Sequence, residues 1–210
     1  MMRWLAIAAV VALAGAALVP MTVALVDSRQ ARQLRDLLPY PACSGPRESR
    51  VAVVYFSRSG NTALAARHLA RRLEAALFPL AAPDYSLGLI GWARAMWDAR
   101  GHSAEIAPGV TDLAAFDTVW LGSPIWLHSP APPIWDFARN NSFDGKRVIL
   151  FNTFNSAFSP EAIAEFGRIV TQNGARSFEH RFIRRGRMGS QLSPEEMLQA
   201  IDADWLALGQ

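Results

Sequence analysis

The sequence has one cysteine, Cys43, among 210 residues, and one lysine, Lys146. A single cysteine excludes an internal disulfide and any metal or iron–sulfur site built from several cysteines. Because lysine is so rare, arginine supplies nearly all of the 21 basic residues. These exceed the 18 acidic residues by a net charge of only +3, which is too small to indicate a nucleic-acid-binding domain. The sequence therefore predicts no nucleic-acid partner and no cysteine-based metal site.

Charged side chains are also absent from Trp4 to Val26, directly after Arg3. A helix of that length rises about 34 Å, which is enough to cross the roughly 30 Å hydrocarbon core of a bilayer. The simplest interpretation is a transmembrane anchor over residues 1–26, and the alternative is a signal peptide cleaved near Thr22 to Ala24. An anchor here would make a single-pass membrane protein. The arginines after the segment outnumber Arg3 before it, which favours a domain on the cytoplasmic side. Cleavage would instead give an exported protein.

Residues 27–49 contain Pro41, Gly45 and Pro46 and lack a sustained apolar period beyond a short helix near Ala31 to Leu38. This composition is typical of a tether between an anchor and a domain. The remaining residues, 50–210, are enough for one globular domain.

Strands and amphipathic helices alternate through that domain. Val51 to Phe56 is a continuous apolar run, typical of a parallel strand covered on both faces, and Thr62 to Leu77 is predicted to be an amphipathic helix. The other predicted strands are Phe78 to Ala82, Phe116 to Leu121, Arg147 to Phe151 and Phe178 to Ile183. The other predicted helices cover residues 89–100, 133–140, 160–172 and 193–208. This alternation predicts an α/β fold with a doubly wound, five-stranded parallel sheet and helices on both faces, preceded by one N-terminal apolar helix.

Three polar loops follow strands of this sheet, at the edge where ligands of open parallel sheets bind. The first, Ser57 to Thr62, combines hydroxyls, an amide and a glycine directly before the positive end of a helix dipole, which favours phosphate binding without a lysine. Taken alone, such a turn is also an ordinary helix cap. Arg58 within it either brings a positive charge to a bound anion or points into solvent.

Val51 to Thr62 resembles the opening strand and FMN-phosphate loop of the flavodoxins, and Phe116 to Trp126 is similar to the strand and flavin-contacting loop of a flavodoxin subfamily. The resemblance extends from about Arg50 to Gln210. It implies the flavodoxin-like sheet order 2-1-3-4-5 and FMN as the cofactor.

The resemblance also implies where FMN binds. The candidate residues are Ser57, Arg58, Ser59, Gly60, Asn61 and Thr62 at the phosphate, and Ser123, Pro124, Ile125 and Trp126 at the isoalloxazine ring. Trp126 would stack on the flavin, although one of seven tryptophans is by itself more often structural. The third loop, Asn152 to Phe158, lacks the glycines that flavodoxins commonly have there, and its expected contacts are Asn152, Thr153 and Asn155. No catalytic side chain and no metal ligand is expected.

The resulting hypothesis is an FMN-dependent electron carrier tethered to a membrane, with a redox partner protein or a quinone as its partner. The alternatives are an NAD(P)H- or quinone-reactive FMN reductase and a flavodoxin-like binding module that has lost FMN. His128 is either a proton donor near the flavin or an exposed loop residue. A basic cluster after the last strand faces an acidic partner, an anionic lipid surface or solvent, and consists of Arg181, Arg184, Arg185 and Arg187.

Overall fold

The computed structural model of the chain describes residues 18, 21–29, 31–32, 34, 49–186 and 191–206. Residues 21–29 are helical and precede the domain. The predicted anchor and tether lie largely outside the described residues. Within the described residues, none of the helices has both the length and the apolar character that a bilayer-spanning segment requires.

A mainly parallel sheet forms the centre of the domain. Its strands are β1 (Val51–Phe56), β2 (Ala76–Leu80), β3 (Thr118–Trp126), β4 (Ser129–Pro130), β5 (Arg147–Phe154) and β6 (Ser177–Arg184). They lie in the order β2-β1-β3-β5-β6, and the short β4 pairs antiparallel with the end of β3. With β4 set aside, this is the order 2-1-3-4-5. The predicted α/β class and sheet order are therefore confirmed.

Among the described residues of the domain, four α-helices lie between strands and a fifth follows the last strand. They are α1 (Asn61–Arg72), α2 (Leu89–Asp98), α3 (Pro132–Asn140), α4 (Pro160–Gln172) and α5 (Pro194–Ile201), with a 3-10 turn at Pro83–Tyr85 and a π-helical turn at Asp202–Leu206. Ser159 caps α4 by accepting the backbone N–H of Ala162 at 3.2 Å. Ser193 and Glu196 form a capping box at the start of α5. Both helix starts are where the sequence predicts them, because the cap signal is local.

The two faces of the sheet bury separate cores. Along β1, Ala52, Val54 and Phe56 point to the core shared with α3 and α4. Val53 and Tyr55 point to the opposite core, shared with α1 and α5. A strand covered on both faces has no solvent side, which explains why its sequence is apolar without alternation.

Gly122 in β3 allows close packing between the sheet and the core behind it. A Cβ atom at this position would lie 2.2 Å from Cζ of Phe151, which is fully buried. No side chain larger than hydrogen fits there unless Phe151 moves. Gly122 thus leaves room for the Phe151 ring to lie across β3, just before the predicted flavin-contacting residues.

Several predicted boundaries differ from the observed ones, most clearly those of α1 and β3. Helix α1 ends at Arg72 rather than Leu77, because Glu74 has a left-handed φ of 50° and Ala75 N–H closes the helix on Ala70 O at 2.8 Å. Strand β3 continues to Trp126, where a loop from Gly122 to Pro130 is predicted. Its extra residues are held first by pairing with β5 and then by the hairpin to β4. Neither partner is visible in the local sequence.

Candidate functional site

A cavity of about 220 Å³ opens at the carboxyl ends of β1, β3 and β5. Most of the predicted cofactor-binding residues line it: Ser57, Arg58, Ser59, Asn61, Thr62, Pro124, Ile125, Trp126, Thr153 and Asn155. The three polar loops predicted to share a site therefore meet at one edge of the sheet. Gly60, Ser123 and Asn152 are not in the cavity wall but lie next to residues that are.

The first loop exposes the amino end of α1 to the cavity. Gly60 is the N-cap residue with a left-handed φ of 98°, and no side chain caps the helix. The hydroxyl of Ser57 accepts the Gly60 N–H at 3.2 Å, which fixes the turn. The first-turn N–H groups of a helix have no partner within the helix, and Asn61 and Thr62 of the first turn of α1 line the cavity. This arrangement fits a phosphate group, which needs convergent N–H and O–H donors.

Thr62 joins this loop to the sheet. Its side chain is almost fully buried, and its hydroxyl lies 2.8 Å from the hydroxyl of Thr153 on β5. Thr62 is thus a structural link as well as part of the cavity wall. Among the described residues, the hydroxyl of Ser59 makes no such hydrogen bond and is the more available donor.

Arg58 is neither in solvent nor unpaired. Its side chain is 5% exposed and forms an ion pair with Asp27 of the N-terminal helical segment. Its guanidinium also donates to the carbonyl of Gly88 at 3.0 Å, in the turn before α2. Burial raises the pKa of Asp27, and Arg58 opposes that shift. The positive charge of Arg58 is therefore largely balanced by protein.

The opposite end of the cavity is aromatic and apolar. Trp126 packs edge-on against Phe56 and Tyr85, with ring centroids 5.6 and 5.4 Å away. Trp92 and Met96 of α2 extend this wall. The Tyr85 hydroxyl donates to Asp98 at 3.0 Å, and burial together with that carboxylate raises the pKa of Tyr85 well above its ordinary value. A neutral wall of this kind fits a flat heteroaromatic ring.

Asn152 supports the wall from behind. Its amide donates to the carbonyl of Ser123 at 2.9 Å, and its oxygen lies 2.8 Å from Nε2 of His180 on β6. Because the amide oxygen only accepts, His180 must donate from Nε2. Burial lowers the pKa of His180 to about 4, so the ring is neutral at physiological pH. Thr153 and Asn155, in contrast, face the cavity.

Several wall residues were not predicted from the sequence. They are Val23, Asp27, Trp92, Ala95, Met96, Phe154, Ser156 and Arg185. The sequence predicts the helix that contains Trp92 and Met96, but not that these two side chains border the cavity. Arg185 directly follows β6 in the structure, but the sequence alone does not separate it from the rest of the basic cluster. Nothing in the sequence links Asp27 to the loop that it contacts. His128 is exposed in the turn between β3 and β4 and does not line the cavity.

Comparison with known proteins supports the same family and fold. A flavodoxin family model matches residues 50–167. A putative flavoprotein from Bacteroides uniformis is 24% identical, with a TM-score of 0.60, over 74% of this chain and 99% of that one. One from Bacteroides eggerthii is 22% identical, with a TM-score of 0.57, over 74% and 97%. A flavoprotein from Lactobacillus acidophilus in complex with FMN is 16% identical, with a TM-score of 0.50, over 63% and 93%. No match was found among curated proteins.

The structural neighbours share the fold of this chain, and the family match spans β1, the first polar loop, β3 and β5. These are the elements whose ends form the cavity. The match to a flavodoxin family model supports FMN as the cofactor. The chain belongs to the flavodoxin family.

Proposed function

We propose that this chain binds FMN in the cavity at the carboxyl ends of β1, β3 and β5 and acts as an electron carrier. The observation that carries the proposal is the uncapped amino end of α1, which opens into the cavity beside Ser57 and Ser59. The aromatic wall around Trp126 lies at the other side of the same cavity. A phosphate site and a ring site within one cavity match the two ends of a flavin mononucleotide.

FMN supplies the redox chemistry when bound, and the chain holds and orients it. The first-turn N–H groups of α1 and the Ser59 hydroxyl would hold the phosphate, and Trp126 would contact the ring. The cavity is smaller than the roughly 300–1,000 Å³ of sites that enclose a drug-sized ligand. Part of the flavin would therefore stay accessible, as electron transfer to a partner requires.

Attachment to a membrane is part of the proposal. It is supported by the uncharged run from Trp4 to Val26 and by the contacts at the end of that run, since Val23 and Asp27 lie in the cavity wall. An anchor ending there would keep the flavin close to the bilayer surface, on the cytoplasmic side if the arginines that follow set the orientation. Cleavage of the segment would instead give an exported protein.

A second candidate function is an FMN reductase that reacts with NAD(P)H or a quinone. The observation that favours it is the position of Val23, which brings the apolar N-terminal segment to the cavity itself. A lipid-soluble quinone would then reach the flavin from the bilayer. A binding module that has lost FMN is the third candidate, motivated by a third loop without glycine.

Spectroscopy on the full chain purified in detergent tests these candidates. The electron carrier is expected to show flavin absorbance after FMN addition and to be reduced only slowly by NAD(P)H in stopped-flow experiments. Fast reduction by NAD(P)H, or fast reoxidation by a soluble quinone analogue, would favour the reductase. A colourless protein with no affinity for FMN would leave the binding module.

A further inference from the structure

The most unusual charge near the cavity is that of Arg185, one residue beyond β6. Arg185 is 9% exposed, and its backbone N–H donates to the carbonyl of Phe154 at 2.8 Å. Its carbonyl accepts the N–H of Leu192 at 2.8 Å. The backbone on both sides is therefore fixed, and the side chain is held in the cavity wall.

The guanidinium of Arg185 contacts the first turn of α1. One terminal nitrogen donates to the side-chain oxygen of Asn61, the first residue of that helix. The Nε atom donates to the carbonyl of Leu192 at 3.2 Å. Both acceptors are neutral, and the Nη2 amino group has no acceptor among the described residues.

The two arginines of the cavity differ in how their charges are balanced. Arg58 is paired with Asp27. No carboxylate of the described residues lies within ion-pair distance of Arg185, and burial lowers its pKa. A buried cation without a counter-ion is costly, and an anionic ligand at the same place removes that cost.

We propose that Arg185 supplies the counter-charge for the phosphate of the bound flavin and makes the site selective for FMN over unphosphorylated riboflavin. This inference rests on the proposed function. The hydrogen bond to Asn61 holds the guanidinium beside the amino end of α1, where the phosphate is expected. The helix dipole and the Arg185 charge then act on the same dianion.

The adjacent Arg184 provides a matched control, because it is exposed and absent from the cavity wall. Full-length apoprotein in detergent is titrated with FMN and with riboflavin, at about 50 and 500 mM salt, following flavin fluorescence. For Arg185→Gln, the Kd for FMN is expected to rise about 10- to 100-fold, while the Kd for riboflavin changes less than about twofold. Arg185→Lys is expected to keep most of the preference, and Arg184→Gln all of it.

The salt series adds a measurement on the unmodified chain. FMN binding by the unmodified protein is expected to weaken with salt more than riboflavin binding does, because only FMN carries the charge. The inference is overturned if Arg185→Gln raises the Kd for both flavins equally, or if it leaves the preference for FMN intact. If that variant does not fold, the inference is overturned when salt weakens the binding of both flavins to the unmodified protein alike. If the unmodified chain binds neither flavin, the proposed function itself fails, which is a different result.

Discussion

The hydroxyls of Thr62 and Thr153 lie 2.8 Å apart and connect the first turn of α1 to β5 across the floor of the cavity. Both side chains are buried, so each hydroxyl depends on the other for a hydrogen bond. This contact ties the proposed phosphate-binding loop to the sheet. The position of that loop therefore depends on a buried contact with β5 as well as on the turn itself.

Removing one hydroxyl of this pair is expected to destabilise the protein. Thr153→Val keeps the shape of the side chain but leaves the Thr62 hydroxyl without its partner, which should lower the free energy of unfolding by about 1–3 kcal/mol. Urea denaturation of the apoprotein measures this change. Thr153→Ser keeps the hydroxyl and is expected to retain more of the stability. If the valine variant is as stable as the unmodified protein, the hydrogen bond makes no net contribution to the free energy of unfolding.

The hydroxyl of Ser59 is the best single test of the phosphate site, since Thr62 also has a structural role. Ser59→Ala is expected to raise the Kd for FMN about tenfold or more, because a hydrogen bond to a charged group is lost. The Kd for riboflavin should stay nearly constant. Fluorescence titration with both flavins measures the difference, and Ser142→Ala, in an exposed loop, is the control. An equal loss for both flavins would place the loop away from the phosphate.

Trp126 is expected to act at the other end of the flavin. Trp126→Leu keeps an apolar side chain but loses the aromatic contact, which is worth about 0.5–1.5 kcal/mol beyond the buried area. FMN and riboflavin should therefore both bind about 2- to 10-fold more weakly. Trp97→Leu is a suitable control because Trp97 is 75% exposed. A selective loss of FMN in the Trp126 variant would show that the ring lies elsewhere.

His180 should make the stability of the domain depend on pH. Its pKa is lowered to about 4 in the folded protein, whereas an unfolded histidine titrates near 6.5. The unfolded state therefore binds more protons between these values, and the free energy of unfolding falls as the pH drops from about 6.5 to about 4. The folded protein stabilises the neutral His180 ring, whose Nε2–H donates to the side-chain oxygen of Asn152.

The measurement is urea denaturation at pH 7 and pH 5 for the unmodified protein and for His180→Gln. Between pH 7 and pH 5, the free energy of unfolding of the unmodified protein should fall by about 1–2 kcal/mol more than that of the variant. This range allows for the part of the His180 ring that water reaches. His128→Gln, at an exposed position, is the matched control for the substitution itself. Parallel slopes for the His180 variant and the unmodified protein would contradict the assignment.

The parts of the fold that the sequence predicts well are those set by local chemistry. The apolar run of β1 requires burial on both faces, and Ser159 and Ser193 define helix starts through caps that lie within four residues of them. The sequence also predicts that the three loops meet, because the carboxyl ends of parallel strands lie at the same edge of a sheet. Family membership then supported the chemistry expected of that edge.

The parts that the sequence does not predict depend on distant partners. The sequence places Arg185 in a basic cluster, yet it is buried because β6 ends beside the first turn of α1. Asp27 lies in a segment expected to be a tether, yet it pairs with Arg58 inside the proposed phosphate-binding loop. Strand β3 is longer than predicted because β4 and β5 pair with its end. Such contacts follow from the topology and not from any local pattern.

The central claim is that the cavity beside Ser57 and Trp126 binds FMN. Equilibrium titration of the full-length apoprotein with FMN, followed by quenching of flavin fluorescence and by visible absorbance, tests it most directly. The expected result is saturable binding of one FMN per chain, tighter than the binding of riboflavin. The absence of saturable binding, or binding that Trp126→Leu and Ser59→Ala together leave unchanged, would contradict it.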